Sequence, residues 1–210
     1  MVNIKFLRHK FKIDFEFCEE EVLGMAVDVS EAKRRAKELY EKFHDVKESM
    51  ISGNLATDLD RIIKNLNLRV FNTDMDELRK IADDGDKLDE NTSGFLMRAN
   101  GKHRIFVNKK DPMIRKRFTI AHEIGHLQLN HLGNEEKAST IFRDSTTSLG
   151  IDEKEVAANA FAAELLMPED LTRYAYNLLK SVYKIARAFG VSEEMVRYRL
   201  KNLRIIDREW

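Results

Sequence analysis

The chain has 210 residues, enough for one sizeable hydrophobic core, or for one domain with a small appendage. Its 36 basic and 36 acidic residues give a formal net charge of zero, so overall charge does not indicate binding to nucleic acid or to an anionic membrane. A single cysteine, Cys18, excludes an intramolecular disulfide framework and is typical of a reducing compartment. Charges interrupt the N-terminal apolar residues, and no segment approaches the roughly 18 uncharged apolar residues of a membrane span. We therefore expect a cytoplasmic protein that does not contact membranes.

The first hundred residues predict alternating helices and strands. Residues 10–17 alternate apolar and charged side chains, which predicts a half-buried strand within an N-terminal extension, residues 1–29. From Ser30, the expected N-cap, apolar residues follow helical spacing as far as Met50. Four further elements are expected in chain order: a short helix capped by Thr57, a strand at residues 68–72, a helix at residues 75–81, and a hairpin whose type I′ turn is Asn100-Gly101.

The most informative motif is His122-Glu123-Ile-Gly-His126, on a helix expected to run from about Met113 to Asn130. Imidazoles four residues apart differ by only about 40° around a helix, so both leave the same face. Two neutral imidazoles on one face bind a single divalent cation, and Zn²⁺ is the usual occupant. Glu123 lies about 60° around the helix from His126, where it can act as a general base on a metal-activated water without being a ligand.

A catalytic zinc site normally has a third protein ligand and an exchangeable water. In the metzincin pattern the third ligand is a histidine six residues beyond the second. Here that position is Leu132, the expected glycine position is Leu129, and His131 is one residue out of place. The motif therefore does not fit a metzincin.

A carboxylate on a second helix, residues 152–167, is the alternative third ligand. Glu155 is the stronger candidate and Glu153 its rival two residues away. Glu155 shares a helix face with Asn159, four residues on, and we expect Asn159 to orient His122 by a hydrogen bond.

Together these two helices resemble the ImmA/IrrE family of zinc metallopeptidases. The family's marks are an R-F-T-x-A-H-E-x-G-H helix and, roughly 25–35 residues later, an E-x-x-x-N-x-F-A-A-x-L-L-M-P helix; residues 117–168 carry both. The resemblance implies an α+β, zincin-like fold: a small mixed or antiparallel sheet, the His-Glu helix, the ligand-bearing second helix and a helical C-terminal tail. We accordingly expect a metallopeptidase domain at residues 30–170 and a C-terminal helical segment at residues 171–210.

The same resemblance implies a function. His122, His126 and Glu155 would bind one Zn²⁺ per chain, and Glu123 would be the catalytic base of a gluzincin-like endopeptidase. The implied substrate is a partner protein, a helix-turn-helix transcriptional repressor, whose cleavage relieves repression of a mobile-element or stress-response locus.

Neither motif names a donor for the oxyanion that forms during peptide hydrolysis. The candidates are His131, His103, Tyr174 and Tyr176, and for each a purely structural role is the alternative. His131, for example, could cap carbonyls at the end of its helix. Gly125 permits close approach of a neighbouring element, for which we expect the strand at residues 102–108, a candidate edge for binding extended substrate.

The C-terminal segment supports an alternative function. Residues 181–200 resemble a helix-turn-helix, with Gly190 at the turn and Ser192 as the next N-cap. Nine basic and four acidic residues between 171 and 210 leave a net charge of +5, which permits DNA contact. A DNA-binding regulator or a toxin–antitoxin component with a structural or sensory zinc site therefore remains open. Three basic residues of this segment are expected to face outward: Arg197, Arg199 and Lys201.

Overall fold

The computed structural model describes residues 19–81, 92–132, 139–142 and 152–206. The expected strand at residues 10–17 and Cys18 lie outside these ranges. The helices are α1 (Glu19–Phe43), α2 (Val46–Ser52), α3 (Leu59–Asn65), α4 (Met75–Ile81), α5 (Met113–Gln128), α6 (Glu153–Leu166), α7 (Glu169–Leu179), α8 (Val182–Phe189) and α9 (Glu193–Asn202). The strands are β1 (Arg69–Thr73), β2 (Gly94–Ala99), β3 (Lys102–Asn108) and β4 (Ser139–Phe142).

The four strands form one mixed sheet in the order β1-β3-β2-β4. β1 runs parallel to β3, and β2 pairs antiparallel with both β3 and β4. Asn100 and Gly101 take positive φ angles of 52° and 67°, as the expected two-residue hairpin turn between β2 and β3 requires. Residues 102–108 were a candidate edge for binding extended substrate, but β3 is hydrogen-bonded on both sides; in the described sheet the edges are β1 and β4.

The two faces of the sheet pack against different helices because strand side chains alternate. Leu96, Ile105 and Val107 are buried in the main core, which they share with α5 and α6. Phe95 belongs to a smaller cluster with Met75 of α4. The fold is thus α+β, with α5 packed on the sheet, α6 packed on α5, and α1 packed on α6.

Two expected helix boundaries and one expected continuous helix are wrong. The helical run expected from Ser30 to Met50 is two helices, α1 and α2, because the chain is not helical at residues 44–45 and Asp45 caps α2. α1 begins at Glu19, eleven residues before Ser30, so the N-terminal extension is helical from that point. The preceding residues include good helix formers such as glutamate, leucine, methionine and alanine, and Ser30 therefore lies inside a longer helix. Asp58, not Thr57, caps α3 by accepting from the Arg61 N–H. The Thr57 hydroxyl instead donates to the backbone oxygen of Leu165, 2.8 Å away, and so ties this turn to α6.

The C-terminal helices pack on the rest of the fold. Gly190 adopts the left-handed conformation and Ser192 caps α9, as the sequence predicted. The expectation that Arg199 faces outward is wrong: its side chain is 2% exposed and forms an ion pair with Glu164 of α6. Its Nε also donates to the backbone oxygen of Met167 at 2.9 Å. Within the described ranges, no helix combines the length and apolar character needed to cross a bilayer.

Candidate metal centre

Helix α5 places three polar side chains in the interior. His122, Glu123 and His126 are each at most 2% exposed, because α5 lies between the sheet and α6. The two imidazoles leave the same side of the helix, and their Nε2 atoms are 2.9 Å apart. The helical spacing of the motif is therefore realised on a buried face of α5.

Helix α6 brings Glu155 to this pair of imidazoles. Asp152 caps the helix, and Glu155 lies in its first turn. Its two carboxylate oxygens lie 3.2 Å from the Nε2 of His122 and 3.0 Å from the Nε2 of His126. Ligand atoms of these three residues all lie within 4.8 Å of one another, and among the described residues Glu153 is not part of this cluster.

Asn159 lies next to His122, one helical turn beyond Glu155. Its Oδ1 is 3.0 Å from the Nδ1 of His122. An amide oxygen only accepts, so the Nδ1 of His122 carries the proton and its Nε2 presents a lone pair toward Glu155. The contact with Asn159 thus favours the neutral tautomer of His122 that is protonated at Nδ1.

His131 makes the corresponding contact with the other imidazole. Its Nδ1 lies 2.8 Å from the Nδ1 of His126, on the far side of that ring from Glu155. Burial, together with the neighbouring His126, lowers the pKa of His131 to about 4, so the ring is neutral at neutral pH. A neutral imidazole can accept a hydrogen bond from His126.

The donor set fits a divalent cation. Two imidazole nitrogens and a carboxylate face one another at about hydrogen-bond distance, and protons on both Nε2 atoms would repel across 2.9 Å. One cation would satisfy all three groups at once, and two nitrogens with a carboxylate oxygen are a usual zinc set.

Gly125 allows α6 to approach α5 closely. A Cβ at this position would lie 3.2 Å from the Cα and backbone oxygen of Ala158 and from the Cβ of Phe161. The neighbour of Gly125 is therefore α6, and the expectation that it would be the strand at residues 102–108 is wrong. The absent side chain lets the helix of Glu155 approach the helix of His122 and His126 closely.

The other residues considered as oxyanion donors make contacts elsewhere. The Tyr174 hydroxyl donates to the backbone oxygen of Met50, and Tyr176 packs at the main core with the Lys180 ammonium over its ring. His103 lies on β3 opposite Arg98, and burial with that nearby charge lowers its pKa. The structure thus brings His131, of the four candidates, into contact with a member of the cluster.

One contributor was not identified from the sequence. Arg35 of α1 donates to the backbone oxygen of Gln128, the last residue of α5, and also pairs with Glu31. This bond satisfies a carbonyl at the helix end that follows His126. No short motif signals it, since the partners are 93 positions apart.

Comparison with known proteins agrees with this geometry. The family model described as Peptidase_M78, IrrE N-terminal-like domain, matches residues 64–201, which include the metal cluster and reach into α9. A protein of Bacillus phage phi105 named "Uncharacterized immunity region protein 2" is 32% identical over 110 residues, covering 52% of this chain and 65% of the phage protein. Since the family match covers more than half of the chain, the ImmA/IrrE resemblance is confirmed, and this chain belongs to the Peptidase_M78 family.

Proposed function

We propose that the protein is a zinc-dependent endopeptidase of the gluzincin-like type. The observation that carries this proposal is the convergence of His122, His126 and Glu155 within 4.8 Å, on the helix pair that also buries Glu123. Membership of a family named for peptidases supports the same reading. A purely structural zinc site would have no need of a buried glutamate between its two histidines.

Different residues of the chain would carry out different parts of peptide hydrolysis. His122, His126 and Glu155 would hold the ion, and Asn159 keeps the Nε2 of His122 free to bind it. Zinc, when bound, supplies Lewis acidity toward the scissile carbonyl and lowers the pKa of water. Glu123 would take a proton from the attacking water and pass it to the leaving amine, because a carboxylate can act first as a base and then as an acid. His122, Glu123 and His126 are at most 2% exposed, whereas the Glu155 side chain is 18% exposed and leaves one side of the cluster open to solvent.

The substrate in this proposal is a helix-turn-helix transcriptional repressor, and cleavage would relieve repression of a mobile-element or stress-response locus in the cytoplasm. The phage relative is named for an immunity region, and this supports a locus that is held under repression. Zero net charge gives the protein no general attraction to nucleic acid and leaves recognition to local surfaces.

The C-terminal helices give little support to the alternative function, a DNA-binding regulator. Of the three cations expected to face outward, Arg199 is buried against Glu164. Arg197 pairs with Glu193 on the same helix, which reduces the positive charge available to a phosphate. These helices act in the proposal as part of the peptidase fold.

The test is incubation of the purified protein with the repressor encoded nearest to its gene, with and without zinc, followed by mass spectrometry of the products. We expect zinc-dependent cleavage at one or a few bonds. Glu123→Gln should still bind one zinc and lose cleavage by at least about 10²-fold, because it keeps the ligands and removes the base. His126→Ala should lose both zinc and cleavage. Cleavage by Glu123→Gln at the wild-type rate would contradict the proposed base.

A further inference from the structure

The turn that ends α5 places the side chain of His131 in contact with His126, a proposed metal ligand. Asn130 adopts a positive φ of 56°, and its N–H donates to the backbone oxygen of Leu127. The N–H of His131 then donates to the backbone oxygen of His126 at 3.0 Å. These two bonds form a Schellman motif, the helix ending in which the residue after the left-handed position folds back over the last turn.

This ending determines which groups of His131 are available. Its backbone N–H caps a helix carbonyl, whereas its side chain contacts the imidazole of His126, with the two Nδ1 atoms 2.8 Å apart. One proton must lie between two nitrogens at this distance, carried by one of the two rings. The identity of the donor decides whether His126 can bind a metal through its other nitrogen.

His126 must be the donor if its Nε2 is to be a ligand. That Nε2 faces Glu155 and the Nε2 of His122, so a metal there needs its lone pair. The proton of His126 then lies on Nδ1, the Nδ1 of His131 accepts it, and the proton of His131 lies on its own Nε2. The amide oxygen of Asn159 accepts the Nδ1 proton of His122 in the same way.

We propose that His131 is a positioning residue that holds His126 in its metal-binding tautomer and ring orientation, matching Asn159 at His122. This inference rests on the proposed zinc-peptidase function. It replaces the helix-capping role considered for the His131 ring from sequence, because the backbone N–H of His131, and not its ring, caps the helix.

Zinc affinity of the purified protein, measured by competition with a chromophoric chelator, tests this role without using activity. His131→Phe keeps a planar ring and removes the acceptor, and we expect zinc to bind about 10- to 100-fold more weakly. His131→Asn carries an oxygen at the position of the lost Nδ1 and should recover most of the affinity. Thermal melts of the zinc-free variants separate a loss of folding from a loss of this contact.

A spectroscopic measurement identifies the proton directly. In ¹⁵N NMR of the zinc-loaded protein, His126 should be protonated at Nδ1 and His131 at Nε2. The inference is overturned if His131→Phe binds zinc as tightly as wild type, or if His131 carries its proton on Nδ1. Failure of the wild-type protein to bind zinc at all would instead overturn the proposed function, so the two failures are distinguishable.

Discussion

Arg199 and Glu164 form a buried ion pair between α9 and α6, with side chains only 2% and 6% exposed. Arg199 also donates to Met167, and the carboxylate of Glu164 accepts the N–H of Glu169. The pair therefore links α9 to the C-terminal end of α6, the helix that carries Glu155. It makes α9 part of the scaffold of the candidate metal centre.

Removing one partner of this pair should be strongly destabilising. Arg199→Met leaves the Glu164 carboxylate buried without its cation, and we expect a loss of about 3–5 kcal/mol in the free energy of unfolding, measured by urea titration. Arg197→Met is the matched control on the same helix; its exposed pair with Glu193 should contribute less than about 1 kcal/mol. Equal losses from the two variants would show that burial of the Arg199 pair does not determine its effect.

Asn159 should affect zinc binding through its oxygen. Asn159→Leu removes the acceptor for the Nδ1 of His122, and we expect zinc affinity to fall about 10- to 100-fold. Asn159→Asp keeps an acceptor at that position and should remain close to wild type. Chelator competition on the three proteins checks this, and weak binding by both variants alike would indicate that packing at residue 159, not the hydrogen bond, is required.

Gly125→Ala should destabilise the protein although alanine is the better helix former. At an unobstructed position the change would gain about 1 kcal/mol. Here the added Cβ would press on the backbone of Ala158 and on Phe161 at 3.2 Å, and we expect a net loss of about 1–3 kcal/mol. Differential scanning calorimetry measures the change, and a raised melting temperature would contradict the close packing of α5 and α6.

His44 should make stability depend on pH. Its Nδ1 lies 3.2 Å from the backbone oxygen of Tyr40, and its Nε2 accepts the N–H of Asp58 at 2.8 Å, so the neutral ring is required. Burial lowers the pKa of His44 below its ordinary value, and the unfolded chain therefore binds a proton at higher pH than the native chain does. The stabilisation is present above the unfolded pKa and is lost as pH falls from there toward the folded pKa.

Urea titrations at about pH 7.5 and about pH 5.5 measure this effect. Wild type should lose more unfolding free energy on acidification than His44→Gln, which cannot take up the proton. His131 and His103 also have lowered pKa values and titrate in both proteins, so the difference between the two proteins isolates His44. An identical pH dependence in wild type and variant would contradict the assignment.

The parts of the site that depend on helical spacing were predictable from the sequence. His122 and His126 are four residues apart, as are Glu155 and Asn159, and residues so spaced on an α-helix share a face wherever that helix packs. The structure brings these four side chains together. The Asn-Gly hairpin and the Ser192 cap of α9 were likewise local signals.

The contacts made through tertiary packing were not predictable in this way. Thr57 and Asp58 both have cap chemistry, and the position of α6 decides that Thr57 binds Leu165 instead. The sequence predicts that Arg199 faces outward, like Arg197 and Lys201. Its burial follows from the docking of α9 on α6. The contact of His131 depends on the left-handed turn at Asn130, which a helical pattern does not reveal.

The sheet order has a consequence for how the chain folds. β2 and β3 are joined by two residues and can pair as soon as their turn forms, whereas β1 reaches its parallel partner β3 only across the intervening helix and β2. Closing that long loop costs more chain entropy than closing the hairpin. We expect the hairpin to form early and the seating of β1 to come late, so that a mutation in β1 mainly accelerates unfolding and leaves the refolding rate little changed.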